Sequence, residues 1–282
     1  MNKGILFFLI ISTHNVYAFS WKMYKDNFQI PYIIANVDNE QHFFQLDTGS
    51  VTGLHLNIKT FNKLENKCKY RRELKTIDLT GTKNLGTECI IDSLIINNEI
   101  FHNISITNLK NWGLTSATEK PDTEVIGIDL FKKGSLVLDY INGYISYKSG
   151  SFKKNKINVK ESYKFELNRN GIVIKDNVQD LNLIIDTGST VSMIWKKTKS
   201  IKDNNCTAIF PISIFPKTKD EDCTTTDFYL KTLSGEIIPF PAMYIKDHDK
   251  YPDDIDGLIG GSFFMNKKIT IDFLNQIMYI EK

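Results

Sequence analysis

Little in this 282-residue chain points to the commoner catalytic chemistries. Its five histidines (His14, His42, His55, His102 and His248) share no metal-ligand spacing. There is no Gly-x-Ser-x-Gly elbow, no phosphate-binding loop and no His-Glu-x-x-His. Asp247, Asp249, Asp253, Asp254 and Asp256 crowd together before Gly257, but their order is not that of a calcium loop. Neither sign of charge prevails: 35 Lys and Arg face 33 Asp and Glu, a formal balance of +2. That excludes a strong nucleic-acid footprint and a strongly acidic surface. Beyond the N-terminus no apolar run approaches the roughly 20 residues that span a bilayer, so no stable membrane insertion is expected. Cysteine is confined to four positions.

The start of the chain is the one strongly apolar stretch. Lys3 precedes Ile5-Leu6-Phe7-Phe8-Leu9-Ile10-Ile11, and Val16-Tyr17-Ala18 supplies small residues for a cut after Ala18. Residues 1–18 therefore read as a secretory signal peptide, with an uncleaved anchor as the alternative that the short apolar run disfavours. A secreted or periplasmic location follows. Cleavage there leaves Phe19-Ser20-Trp21 as the start of the first domain, with no room for a pro-segment. The four cysteines suit an oxidising compartment. Three pairings are possible; Cys68–Cys89 and Cys206–Cys223 are favoured because each closes a short loop within one half, a bridge of that kind contributing ~2–4 kcal/mol. Free buried thiols remain the other reading.

What is present, twice, is Asp-Thr-Gly-Ser after an apolar run. Phe43-Phe44-Gln45-Leu46 leads into Asp47-Thr48-Gly49-Ser50, and Leu183-Ile184-Ile185 into Asp186-Thr187-Gly188-Ser189. A carboxylate at the end of a buried strand is a costly place for a charge, and two on similar halves suggest that they meet. The repeat continues: Val125 to Tyr147 aligns without a gap on Leu258 to Ile280, sharing Ile126/Ile259, Gly127/Gly260, Phe131/Phe264, Asp139/Asp272 and Asn142/Asn275. Gly127 lies 80 residues after Asp47, and Gly260 lies 74 after Asp186. So long a period describes two homologous lobes rather than a solenoid of units of up to about 50 residues.

Strand signals dominate. The runs 28–37 and 171–175 end in turn residues, Asp38-Asn39-Glu40 and Asp176-Asn177, and return as the strands that deliver Asp47 and Asp186. Ile90–Ile96, Asn97-Asn98 and Ile100–Ile104 give another hairpin. Helical periodicity is limited to short segments after Ser50 and after Ser189. The expected class is all-β, with two closed-barrel-like lobes and a cleft between them. The first lobe is placed at 19–150, a basic, turn-rich linker at 151–160 and the second lobe at 161–282.

These motifs resemble those of the bilobal aspartic proteases of the pepsin and retropepsin superfamily. A single Asp-Thr-Gly is explained as well by a turn whose Asp accepts backbone N–H groups; two matched copies with matched downstream segments are not. The resemblance implies an aspartic endopeptidase in which a water between Asp47 and Asp186 attacks the peptide bond. Two carboxyl groups about 3 Å apart cannot both ionise and so share a proton. It implies that Gly49 and Gly188 bring backbone close to the carboxylates, and that Ser50 and Ser189 hydrogen-bond their outer oxygens. Thr48 and Thr187 would reach across to the opposite lobe. It further implies a hairpin flap over the cleft, whose counterpart is the stretch 76–86 with Leu79, Thr80, Gly81 and Thr82 at its tip. Pepsin-like flaps carry a tyrosine where Leu79 falls, so its hydrogen bond is missing here, as in retropepsins. The implied partner is an extended polypeptide, the implied state a monomer. No metal or organic cofactor is implied, since water and two carboxyls suffice. The competing reading is a non-catalytic pepsin-like binding or inhibitor protein that uses the same cleft.

Overall fold

The computed structural model describes residues 18–26, 29–77, 83–108, 124–150, 152, 158–195, 201–202, 224–245 and 253–281. The first half contains β1 (Ala18–Lys25), β2 (Pro31–Val37), β3 (Glu40–Leu46), β4 (Leu54–Leu56), helix α1 (Ile58–Leu64), β5 (Cys68–Ile77), β6 (Lys83–Ile96), β7 (Glu99–Asn108), β8 (Glu124–Ile126), β9 (Gly134–Asp139) and β10 (Tyr144–Ser149). The second contains β11 (Val159–Lys164), β12 (Glu166–Asn168), β13 (Gly171–Asp176), β14 (Leu181–Ile185), β15 (Met193–Ile194), β16 (Ile201–Lys202), β17 (Thr224–Lys231), β18 (Ile237–Tyr244), β19 (Gly257–Ile259), the one-turn helix α2 (Gly261–Phe264), β20 (Lys268–Asp272) and β21 (Ile277–Glu281). The protein is all-β with two lobes.

The hairpins form where the turn chemistry puts them. Asp38-Asn39 joins β2 to β3 and Asn97-Asn98 joins β6 to β7. All four residues have positive φ (51°, 68°, 49° and 68°), the left-handed pair that matches strand twist and that Asn and Asp tolerate best. In each lobe the strand bearing the Asp-Thr-Gly motif runs parallel to the Ile-Gly strand, β3 with β8 and β14 with β19. A third strand then adds antiparallel, β4 or β15, and a fourth parallel to that, β7 or β18. The internal repeat is thus a repeat of topology.

The lobes differ in closure. In the first, β2-β3-β8-β4-β7-β6 closes on itself through Val37 and Ile96, and Asn36 N–H donates to Asn97 Oδ1 at 2.7 Å beside that seam. In the second, the described strands run from β12 to β16 as an open eight-stranded sheet. There the Gln179 side chain bridges to the far strand, donating to Asp227 O and accepting from Tyr229 N–H.

A six-strand array, β11-β21-β20-β9-β10-β1, joins the lobes across their pseudo-two-fold axis. At its centre Leu136, Val137 and Leu138 face Ile271, Thr270 and Ile269. Tyr140 N–H donates to Lys267 O and Phe273 N–H to Gly134 O, each at 3.1 Å, positions that the repeat makes equivalent. Phe44, Phe131 and Phe264 are almost wholly buried, each contributing about 2–3 kcal/mol by burial.

The stretch after Ser50 forms a helix, α1, capped by the Asn57 side chain on Thr60 N–H. Of the stretch after Ser189, Met193 and Ile194 are strand, flanked by β19 and β18, and 196–200 lie outside the described residues. One expectation changes. Asp176, assigned to a turn, is the last residue of β13, and its carboxylate accepts from Val178 and Gln179 N–H to start the turn instead. Residues 1–17 and most of 151–160, with the signal peptide and linker readings they carry, lie outside the described residues; β1 begins at Ala18, opposite Lys148.

Candidate active site

Each motif leaves its strand in the same way. Asp47 N–H donates to Ile126 O and Asp186 N–H to Ile259 O, both at 3.0 Å, so the Ile-Gly strand fixes the backbone at the aspartate. The chain then turns, with Ser50 N–H on Asp47 O and Ser189 N–H on Asp186 O. Gly49 N–H reaches Asp47 Oδ1 and Gly188 N–H reaches Asp186 Oδ1, both at 2.8 Å; Ser189 N–H adds a second bond to Asp186 Oδ1 at 3.1 Å. Backbone donors thus hold both carboxylates in place.

The two turns are locked to each other by their threonines. Thr48 Oγ1 donates to Ile185 O at 2.8 Å and accepts from Thr187 N–H at 3.0 Å. Thr187 Oγ1 donates to Leu46 O at 2.8 Å and accepts from Thr48 N–H at 3.1 Å. Both side chains are buried. A hydroxyl serves because one atom must donate to a carbonyl and accept an amide at once.

The glycines are needed for approach across the axis. A Cβ on Gly49 would stand 2.9 Å from Asp186 Cγ, and one on Gly188 would stand 2.8 Å from Asp47 Cγ. Each carboxylate therefore rests on the opposite lobe's glycine, and any side chain would push the pair apart. Gly127 and Gly260 do the same behind the turns, where a Cβ would come within 2.2 Å of Thr52 O or Val191 O.

The carboxyl pair is electrostatically strained. Burial raises both Asp47 and Asp186 above the usual carboxylate range. The Asp47 charge raises Asp186 further, while a side-chain hydrogen bond between the two opposes the rise at Asp47. Two carboxyl groups so placed favour holding one proton between them over ionising together.

The serines depart from their expected role. Ser50 Oγ lies 2.6 Å from His55 Nε2 and 3.1 Å from Thr52 Oγ1, and Ser189 Oγ donates to Val191 O at 2.9 Å. Both hydroxyls face their own lobe, because the carboxylates are already supplied with backbone N–H donors and the buried polar groups behind each turn need partners. His55, at first sight one of five histidines without a role, is the residue that sequence reasoning missed. It is buried in β4, with Nε2 2.5 Å from Thr52 Oγ1 and Nδ1 2.7 Å from Thr107 Oγ1. Ser50, Thr52 and His55 are polar residues in an otherwise apolar stretch, and that pattern was the available signal.

The remaining expectations fall as follows. Cys68 and Cys89 form a disulfide between β5 and β6, with Cα atoms 5.5 Å apart; Cys206 and Cys223 lie outside the described residues. So do Leu79, Thr80, Gly81 and Thr82, although the hairpin base is described, with Ile77 opposite Lys83. In the acidic loop two aspartates have structural partners: Asp256 accepts from Asn182 N–H, and Asp254 from Arg169 and Asn170. No cluster of metal-ligating side chains occurs among the described residues, and no helix among them is long and apolar enough to cross a membrane.

No protein-family model and no curated protein matches the chain. Solved structures do. Basic 7S globulin from soybean shares 8% identity at a TM-score of 0.53, over 94% of each chain. Conglutin gamma, a basic 7S globulin from lupine seeds, shares 9% identity at the same TM-score, over 94% of this chain and 95% of its own. A retropepsin-like aspartic protease from Rickettsia conorii covers 48% of this chain and 90% of its own at 20% identity, with a TM-score of 0.31. At such identities the likeness to the two globulins is one of fold, the all-β, pepsin-like architecture.

Proposed function

We propose that the protein is an aspartic endopeptidase that hydrolyses peptide bonds with a water held between Asp47 and Asp186. The observation that carries this reading is the crossed Thr48–Thr187 lock, which keeps the two carboxylates against each other's glycines. Nothing in a plain structural turn calls for two such charges to be pressed together, and their shared proton is what the chemistry needs. The ionised carboxylate takes a proton from the water as the water's oxygen bonds to the scissile carbonyl carbon. The protonated one donates a hydrogen bond to the carbonyl oxygen and stabilises the charge that develops there. Proton transfer to the amine nitrogen then accompanies C–N cleavage.

The substrate on this reading is an extended polypeptide that pairs with strand edges of the cleft. The hairpin of β5 and β6 acts as the flap. Residues 19–150 and 161–282 form the two lobes. Both aspartates come from one chain, so a monomer suffices. The disulfide between Cys68 and Cys89 supports an oxidising compartment and hence export, secreted or periplasmic. A mildly acidic optimum follows from the shared proton.

The second reading, a non-catalytic cleft protein, takes its support from the two full-length likenesses, both of which are named as globulins. One experiment separates the readings: the purified chain is incubated with denatured proteins at several pH values, beside Asp186→Asn. Cleavage by the wild type alone, blocked by a statine-type transition-state analogue, supports the endopeptidase. A folded wild type that leaves every substrate intact from pH 3 to pH 8 overturns it.

A further inference from the structure

The hydroxyl of Ser50 is next to Asp47 and yet is turned away from it. Ser50 N–H already reaches the Asp47 carboxyl, while its Oγ is 2.6 Å from His55 Nε2. Thr52 Oγ1 lies 2.5 Å from the same nitrogen and 3.1 Å from Ser50 Oγ. Thr107 Oγ1, on β7 alongside, takes Nδ1 at 2.7 Å. In a neutral imidazole one nitrogen donates and the other accepts. Withholding the Ser50 proton requires the tautomer with Nδ1–H on Thr107, in which Nε2 accepts and the Ser50 and Thr52 hydroxyl protons stay inside the triangle. The second lobe has no such device. Ile194 stands where the repeat places His55, Val191 stands at Thr52, and Ser189 Oγ spends its proton on the Val191 carbonyl.

Building on the endopeptidase reading, we propose that His55 is a positioning residue for the dyad: by engaging the Ser50 and Thr52 hydroxyls it withholds Ser50's proton from Asp47. Within its own lobe Asp47 is thereby held by backbone N–H groups alone, beside its side-chain hydrogen bond with Asp186. Burial keeps His55 neutral over the mildly acidic range, pushing it down to about 4. The other ionisable groups on the elements packed against β4 are already engaged. On β8, Glu124 is held by His42 and Asn57. Glu88, opposite Thr107 across β6 and β7, is paired with Arg72. In the short helical turn after Gly127, Asp129 is held by Lys132 and Ser105. On α1, Lys63 is paired with Glu40 and Lys59 is exposed; Glu99 and His102, on β7, lie towards its solvent-facing start.

The test uses the full chain and the variants His55→Ile, His55→Gln, Ser50→Ala and His55→Ile/Ser50→Ala. Two readouts are taken: the pH profile of kcat/KM, and the titration of the Asp47 carboxyl carbon by NMR, which needs no activity. His55→Ile copies the second lobe and frees the Ser50 hydroxyl to donate to Asp47. The expected result is that the acid limb and the Asp47 midpoint both move to lower pH by about one unit. Ser50→Ala in the same chain cancels that shift, and His55→Gln, whose amide reaches the same hydroxyl, stays with the wild type. Ser50→Ala alone leaves the limb where it was, and it tests the idea even if His55→Ile does not fold. An acid limb that moves up in Ser50→Ala, or profiles that superimpose in His55→Ile, overturns the proposal. If the wild type cleaves nothing but the Asp47 midpoint still moves with His55, the endopeptidase reading fails and the positioning role stands.

Discussion

The two lobes carry the same turn on different supports. In the first lobe the barrel closes through β2 and β6, a disulfide ties β5 to β6, and a histidine with three hydroxyl partners stands behind the motif. In the second the sheet stays open among the described residues, Gln179 bridges the gap, and an isoleucine replaces the histidine. Beyond the shared strand topology, what remains equal lies at the axis: the backbone bonds at Asp47 and Asp186, the crossed threonines and the paired glycines. Duplication therefore fixes the meeting of the carboxylates, and divergence behind each turn decides how alike they are.

The strongest test of that equality is to neutralise each carboxylate. Asp47→Asn and Asp186→Asn should each lower kcat/KM by about 10³-fold or more, since general acid–base roles of this type are worth about 10²–10⁴. The two losses should match despite the unequal supports. The same variants should be more stable than the wild type at pH 7. An acid raised above its unfolded value binds more protons in the native state, so native stability falls as pH rises through the interval between the two values. Burial raises both aspartates. Thermal melts should then show Asp186→Asn ahead of the wild type at pH 7, with the advantage gone below about pH 3, where both states of the wild type are protonated.

Next in size is the threonine lock, where lobe symmetry predicts equal damage. Thr48→Val strands Ile185 O and Thr187 N–H, and Thr187→Val strands Leu46 O and Thr48 N–H. Each variant should lose about 4 kcal/mol by denaturant unfolding, from two buried groups at about 1–3 kcal/mol each. A loss in one variant several times that in the other would show that the lobes do not share the lock.

His55 makes the lobes unequal in their response to acid. A buried base with a lowered folded value binds fewer protons in the native state than in the unfolded one, so stability is lost as pH falls from about 6.5 towards 4. The loss reaches about 3 kcal/mol below the folded value, at 1.36 kcal/mol per pH unit. His55→Ile should flatten that part of the stability profile, whereas substitutions at Ile194 should leave it unchanged. The decline is opposite in sign to the dyad's own trend, so the variants are needed to separate the two.

Much of this was legible in the sequence, for reasons that are local. Asp-Thr-Gly-Ser after an apolar strand, and Asp38-Asn39 and Asn97-Asn98 between β-rich runs, announce their geometry within a few residues. The parts that were not legible depend on partners far along the chain. Thr107, which fixes the His55 ring, lies 52 residues away. Met193 and Ile194 become strand only because β18 and β19 lie beside them. The inward-facing serines follow from backbone N–H groups having taken the carboxylates first, which no residue type reveals.

The smallest effect concerns the joint between the lobes. Tyr140 and Phe273 occupy equivalent positions in the six-strand array and make equivalent backbone bonds. They differ by a hydroxyl, and Tyr140 Oη has no hydrogen-bond partner among the described residues. Burial raises the phenol, and the charge of Asp186 raises it further, which places this hydroxyl within the field of the dyad. Tyr140→Phe makes the joint symmetric. It removes a buried polar atom that gives up hydration for no bond within the protein, so stability should change by under about 1 kcal/mol, in the favourable direction. A loss of 2 kcal/mol or more would instead mean that the hydroxyl takes part in a bond that the symmetric array does not require. The dyad would then be coupled to the first lobe from below as well as from behind.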